Sequence, residues 1–424
     1  MKSLMHIKNI FHKIIFSALI LFSLNLKARI VIPLDSSKQV KDTSYINKNK
    51  KQVVPQIDLA DVARKILGFK NDIQETVLKK PGKIYLAVLP GIGYSILTGF
   101  TAVATINLSF YTSKGDSANL STVQGLVEYG QNGQLVNSII SSIWTKKNKI
   151  NFLGDWRYYN YASYTYGLGS ESLSSDADLI YYNYVRINQL AVTQIVPDFL
   201  GGIGYNLDYH YKIKDANPNA IPQNDYTAYG RTATSNSSGL SLNLLYDTRR
   251  NSNNPMGGQF VNLVYRPNFT FMGSDQNWQS LFLDYRKYIR LPANSNNVLA
   301  FWNFYWITLH GTPPYFDLPA TGWDTYSNSG RQFIQGRYRG RDMLYGEAEY
   351  RFVIIRNGLI GGLVYVNAQS FSEWKTNEIE TITPGTGIGI RIKANKYSDT
   401  NLVITYGVGT GGARGFLFNL GEMF

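Results

Sequence analysis

The chain has 424 residues, no cysteine, 31 tyrosines, 38 glycines and only 14 prolines, with a formal net charge of +13. Its mean hydropathy is −0.19. The missing cysteines exclude a disulfide framework and a cysteine-ligated zinc site.

Residues 1–28 read as a secretory signal peptide. "MKSLMHIKNIFHK" is a positive leading region, "IIFSALILFSLNL" an apolar run, and Ala28 a small residue before cleavage. That run is short for a membrane span, and no cysteine follows it to carry a lipid anchor. Cleavage removes four lysines and lowers the net charge to +9, while residues 29–83 hold twelve Lys/Arg against six Asp/Glu. The basicity is therefore concentrated near the N-terminus. In an exported protein this favours anionic lipid or an acidic protein face over nucleic acid.

Residues 29–82 form a basic periplasmic arm. Within it, "DLADVARKILG" predicts an amphipathic helix over 58–67, with Asp58 as N-cap and Gly68 as stop. Leu59, Val62, Ala63, Ile66 and Leu67 share one face. Two readings stay open: the helix packs on its own protein, or it covers the periplasmic mouth of the domain that follows.

From residue 83 to 424 the pattern changes to segments alternating apolar and polar with a period of two. In "GLSLNLLYDTRR", Leu240, Leu242, Leu244 and Tyr246 oppose Ser241, Asn243, Asp247 and Arg249. In "LYGEAEYRF", Leu344, Ala348, Tyr350 and Phe352 oppose Tyr345, Glu347, Glu349 and Arg351. About sixteen such segments run from Ile84 to the one starting near Gly412. Their connections alternate in length: "TKKNK", "VPDF" and "RNG" are short, whereas the other set includes long ones such as residues 311–343.

This is the pattern of an outer-membrane barrel, with tight periplasmic turns and long outer loops. A bilayer leaves backbone groups no water to bond with, so a sheet that crosses it must close on itself. Its outer face is then apolar and its lumen polar, and tyrosines suit the interfacial girdles. The predicted fold is an all-β, 16-stranded antiparallel transmembrane β-barrel. Phe416, Phe418, Leu420 and Phe424 alternate to the chain's last residue, which makes Phe424 a membrane-sorting aromatic on the lipid face. Glu422 falls on that same face, at a depth where it reaches water.

Four stretches resemble the BamA/TamA superfamily of 16-stranded outer-membrane barrels (bacterial surface antigen type). "GRQFIQGRYRGRD" lies in the sixth outer loop, where that family carries an Arg-Gly-aromatic motif in a loop folded into the lumen. The best match is Arg331, Gln332 and Phe333, with Gln in place of Gly; Arg339 and Gly340 are the rival pair. "YDTRRNSNNPMGGQF" resembles the family's strand-turn pattern through Asp247, Arg249, Pro255, Gly257 and Gly258. "GLVYVNAQSF" resembles its F-x-D-x-G strand, with Asn367 for the Asp and Gln369 for the Gly. "KIYLAVLPGIGYSILTGF" resembles the opening strand of its short members. The resemblance covers residues 80–424. It implies an inward-folding lid held by arginine, with Asn367, Glu347 or Glu349 as lumen-wall partners. It also implies a weak seam, to which Pro90 in the first strand and Gly411, Gly412 and Gly415 in the last contribute. About 55 residues separate cleavage from the first strand, too few for the family's periplasmic POTRA domain, so a POTRA-less member is expected.

Catalysis is not expected. Only His210 and His310 survive processing; Asp208 lies near His210, but no nucleophile motif accompanies either. No metal or cofactor is expected. The expected partners are outer-membrane lipid and lipopolysaccharide, and periplasmic or surface lipoproteins, around a monomeric barrel. Assistance with assembly, insertion or translocation of outer-membrane or surface proteins or lipids is the first functional expectation. A porin-like diffusion channel and a non-transporting scaffold are its alternatives.

Overall fold

The computed structural model describes residues 44–46, 53–67, 84–95, 99–113, 118–218, 225–396 and 398–424. The predicted signal peptide and most of the basic arm lie outside the described residues. Ser44–Ile46 (β1) and Val53–Pro55 (β2) pair as a small antiparallel ladder, followed by helix Leu59–Leu67 (α1). Asp58 caps α1: its carboxylate accepts from Asp61 N at 2.9 Å, while the Asp61 carboxylate accepts from Asp58 N at 3.2 Å. This reciprocal pair satisfies two donors that a helix start otherwise leaves open.

Sixteen strands then build one sheet. They are β3 (Ile84–Ser95), β4 (Gly99–Tyr111), β5 (Leu120–Gly130), β6 (Leu135–Trp144), β7 (Ile150–Thr165) and β8 (Asp178–Val196). Next come β9 (Phe199–Asp215), β10 (Thr234–Asp247), β11 (Gly258–Asn268), β12 (Trp278–Arg290) and β13 (Val298–His310). The last are β14 (Asp342–Val353), β15 (Ile360–Phe371), β16 (Thr383–Asn395), β17 (Thr400–Gly409) and β18 (Arg414–Leu420). Each pairs with its chain neighbours, so spatial order follows sequence order from β3 to β18. The sheet curls until β3 and β18 lie side by side, but among the described residues no backbone ladder joins them. The connections at the base, where β3 begins, hold at most ten residues; the longest, including 311–341, lie at the top, beside short ones at 131–134 and 410–413.

The alternation maps onto the two faces. Leu240, Leu242 and Leu244 are exposed on the outer wall, while Ser241 and Asn243 are buried inside. On β14, Tyr345, Glu347, Glu349 and Arg351 are buried in the lumen. No helix among the described residues is long and apolar enough to cross a membrane.

Three expectations need correction. The tyrosines are not chiefly a girdle: Tyr129, Tyr181 and Tyr406 face outward, but Tyr159, Tyr161, Tyr182 and Tyr184 are buried in the lumen. In "YYNY" (181–184) Tyr181 faces out, and alternation puts both Tyr182 and Tyr184 inside. The alternation also fails to reach the chain's last residue. β18 stops at Leu420, and Gly421, at φ 111°, turns the chain inward. Phe424 is consequently buried in the lumen, stacked on Trp302 at 5.3 Å, not placed on the lipid face. Glu422 is buried too, because Arg391 Nη2 reaches it at 2.6 Å and Asn401 donates to it. Finally, Gly411 and Gly412 sit in the β17–β18 turn at φ 69° and 74°, a conformation that favours glycine, and not in the last strand.

Candidate functional site

The sixth loop, residues 311–341 between β13 and β14, folds down into the lumen. Its tip carries Arg331, whose side chain is fully buried. The guanidinium Nη2 bonds the carboxylate of Glu347 and that of Glu349, the latter at 2.7 Å. Its Cζ lies 4.0 Å from the centre of the Tyr365 ring. Burial disfavours the charge on Arg331, but the two carboxylates outweigh that and hold its pKa above the ordinary arginine range. Period two explains why both acids are available: residues 347 and 349 point to the same face of β14.

The ion pairs continue below Arg331. Arg351 Nε meets Glu349 at 2.6 Å and Glu422 at 3.6 Å, and Arg351 Nη2 donates to the Phe424 carbonyl oxygen at 3.0 Å. Asn328 of the loop donates to the Met423 carbonyl at 2.8 Å. The loop descending from the top thus meets the tail rising from the base.

Gln332 stands where the resemblance led one to expect glycine, and Asn367 where it led to aspartate. The structure sets the two departures against each other. Gln332 Nε2 donates to Asn367 Oδ1 at 2.7 Å, and Asn367 Nδ2 donates back to Gln332 Oε1 at 3.1 Å. Asn367 Nδ2 also lies 3.2 Å from Glu347 Oε2, a bond that a carboxylate could not donate. The wall beneath is bare by design of its glycines. A Cβ on Gly385 would sit 1.7 Å from Gln332 Nε2, and one on Gly409 would sit 2.8 Å from Phe333 Cζ. Phe333 itself packs edge-on to Tyr338 at 5.4 Å.

Arg339, the rival arginine, is buried but binds no carboxylate among the described residues. It donates to the carbonyls of Tyr315 and Leu318 at 3.0 and 3.2 Å, so it braces the loop internally. Gly340 passes so close to Ser372 that a Cβ would lie 2.8 Å from its carbonyl oxygen. Asp247 and Arg249 form a bidentate pair at 2.9 and 2.8 Å where β10 meets the β10–β11 turn, near Pro255 and Gly257 and far along the chain from the sixth loop. Pro90 stays in register on the edge strand β3, opposite Ala104, and Gly415 of β18 opposes Gly407.

Sequence reasoning missed the rest of the loop's anchorage. Arg157 donates to the Thr325 carbonyl at 2.6 Å, Tyr161 to Gln335 at 3.0 Å, and Ser237 to Asp317 at 2.5 Å. Arg157 and Arg186 belong to a lumen network with Asp155, Asp208 and Arg266. Period two lets such side chains share a face, but it does not say which loop residue arrives there. At the top, Glu373 accepts from Ser170 N at 2.8 Å, Gly169 N donates to the Arg339 carbonyl at 2.7 Å, and Tyr229 OH to the Pro313 carbonyl at 2.6 Å. Four loops are thereby tied into one cover. His210 is buried and stacked on Tyr184 at 4.3 Å, with Ser235 Oγ 3.5 Å from its Nδ1; His310 is exposed at the end of β13.

Among solved structures, BamA from Haemophilus ducreyi lacking POTRA domains 1–3 aligns over 80% of this chain and 70% of its own, at 12% identity and a TM-score of 0.55. The fold is that of a BamA-type barrel. CdiB from Acinetobacter baumannii aligns over 80% of this chain at 13% identity and a TM-score of 0.50, and the chain spans 60% of CdiB's length. No protein-family model and no curated protein matches the sequence. At these identities the likeness concerns the fold alone.

Proposed function

We propose that the chain is an outer-membrane barrel, its base toward the periplasm, that assists insertion or translocation of outer-membrane or surface proteins or lipids together with partners. The sixth loop acts as its lid. One observation carries this reading: Arg331, buried at mid-lumen between Glu347 and Glu349, fastens a loop of some thirty residues across the space through which a porin would conduct. Among the described residues the first and last strands share no ladder, which supports it, because such a seam opens at little cost in backbone hydrogen bonds.

The test is assisted insertion. The purified barrel, reconstituted in vesicles, is mixed with a urea-unfolded client barrel, and client folding is followed by its gel-mobility shift. Faster folding than in empty vesicles supports the proposal. Equal rates, with and without the barrel, contradict it.

A further inference from the structure

Helix α1 is attached by the wrong face for a soluble setting. Its polar side docks on the base of the barrel: Asp58 accepts from Lys396 N at 3.0 Å, Asp61 from Lys396 Nζ at 2.7 Å, and Ile57 N donates to the Asn357 carbonyl at 3.2 Å. Its apolar side is left outside, with Leu59 40% and Ile66 78% exposed and Ala63 exposed between them. An amphipathic helix in water turns this arrangement round. The β14–β15 turn that Ile57 touches continues the apolar surface through Ile354 and Ile355, 57% and 38% exposed.

The same end of the barrel is basic. Its turns expose Lys146, Lys147, Lys149, Arg250 and Arg356, and Arg290 is exposed at the end of β12. Among the described residues of these turns the acids are fewer: Asp247 is engaged by Arg249 and Asp399 by Lys393, which leaves Asp198. Apolar side chains at the membrane boundary, flanked by cations, fit the headgroup region of an anionic bilayer: the side chains enter the acyl boundary and the cations meet phosphates.

We propose that α1 is an interfacial helix that lies on the inner leaflet and inserts Leu59, Ala63 and Ile66 beside Ile354 and Ile355, with the basic turns selecting anionic phospholipid. This rests on the membrane-spanning reading of the barrel, and the experiment separates the two. The chain has no cysteine, so a single one can be labelled cleanly. An environment-sensitive fluorophore is placed on Ile66→Cys and, as a control, on Val366→Cys, a 57% exposed position of β15. Each full-length protein is reconstituted in phosphatidylcholine vesicles with and without phosphatidylglycerol.

With phosphatidylglycerol, the residue 66 probe should shift to shorter wavelength, be quenched by brominated acyl chains and resist iodide. Without it, or with Lys146, Lys147 and Lys149 changed to Glu, the effect should weaken. A residue 66 probe that stays in water in both vesicles, while the residue 366 probe reports lipid, overturns the proposal and leaves that face to a protein partner. Equal insertion in both vesicles overturns the choice of anionic lipid. If the residue 366 probe also stays in water, the spanning reading fails instead.

Discussion

Replacing Arg331 by alanine should release the lid, and the geometry sets the scale. Arg331, Glu347 and Glu349 have no exposed side-chain surface. Removing one member of a buried pair generally costs about 3–5 kcal/mol, because the other charge is left stranded. Here Glu349 keeps Arg351 at 2.6 Å, and Glu347 keeps donors on Tyr345 at 2.6 Å and Asn367 at 3.2 Å. The lower end, about 3 kcal/mol, therefore applies, and this shifts the lid equilibrium by roughly a hundredfold. The readout is maleimide labelling of Ser329→Cys, a buried position two residues from Arg331 on a chain with no other cysteine. Labelling from outside should accelerate by roughly two orders of magnitude in the Arg331→Ala background if opening limits access. An unchanged rate would refute the argument that this arginine fastens the loop.

The remaining predictions concern the same lumen. Glu422 is held at about 2: burial raises its pKa, but Arg391 and Arg351 more than reverse that. A lowered folded pKa stabilises above the unfolded value near 4.5 and is lost as pH falls toward 2, so wild type should lose roughly 3 kcal/mol on that limb. Glu422→Gln should lack this acid limb in thermal melts of the reconstituted barrel. Asp317 is raised to about 7, first by burial and then by the charge of Asp208. Its contribution is full below the unfolded value near 3.8 and disappears as pH rises through about 7. Relative to the probe's thiolate fraction, Ser329→Cys labelling should accordingly quicken between about pH 4 and about pH 7 with Asp317 present but stay level in Asp317→Asn. Gly385→Val should expel Gln332 from its amide pair and cost about 1–3 kcal/mol by overcrowding, again read as faster labelling; a neutral result would mean that the glycine wall does not seat the lid.

Strand count, strand order and the two faces were legible because the period-two signal repeats in every strand, as "GLSLNLLYD" and "GEAEYRF" illustrate. The signal ends where regular backbone ends. Gly421 breaks the alternation, and with it the lipid-facing placement of Phe424. Glu347 and Glu349 could be assigned to the lumen from sequence, and so named as partners for an arginine. The pairing of Gln332 with Asn367 could not, because it depends on how far a long loop descends. For α1, the pattern identified an apolar face, and Asp58 and Asp61 gave no sign that the polar face would dock on Lys396. Periodicity reports which side chains share a face, but the partner of that face is a tertiary fact.

Single-channel conductance in a planar bilayer, wild type beside Arg331→Ala, tests the central claim most directly. A lid fastened at mid-lumen predicts a closed or flickering wild type and a variant that opens into a steady pore. A large, steady conductance from the wild type would contradict it and make the molecule a diffusion channel.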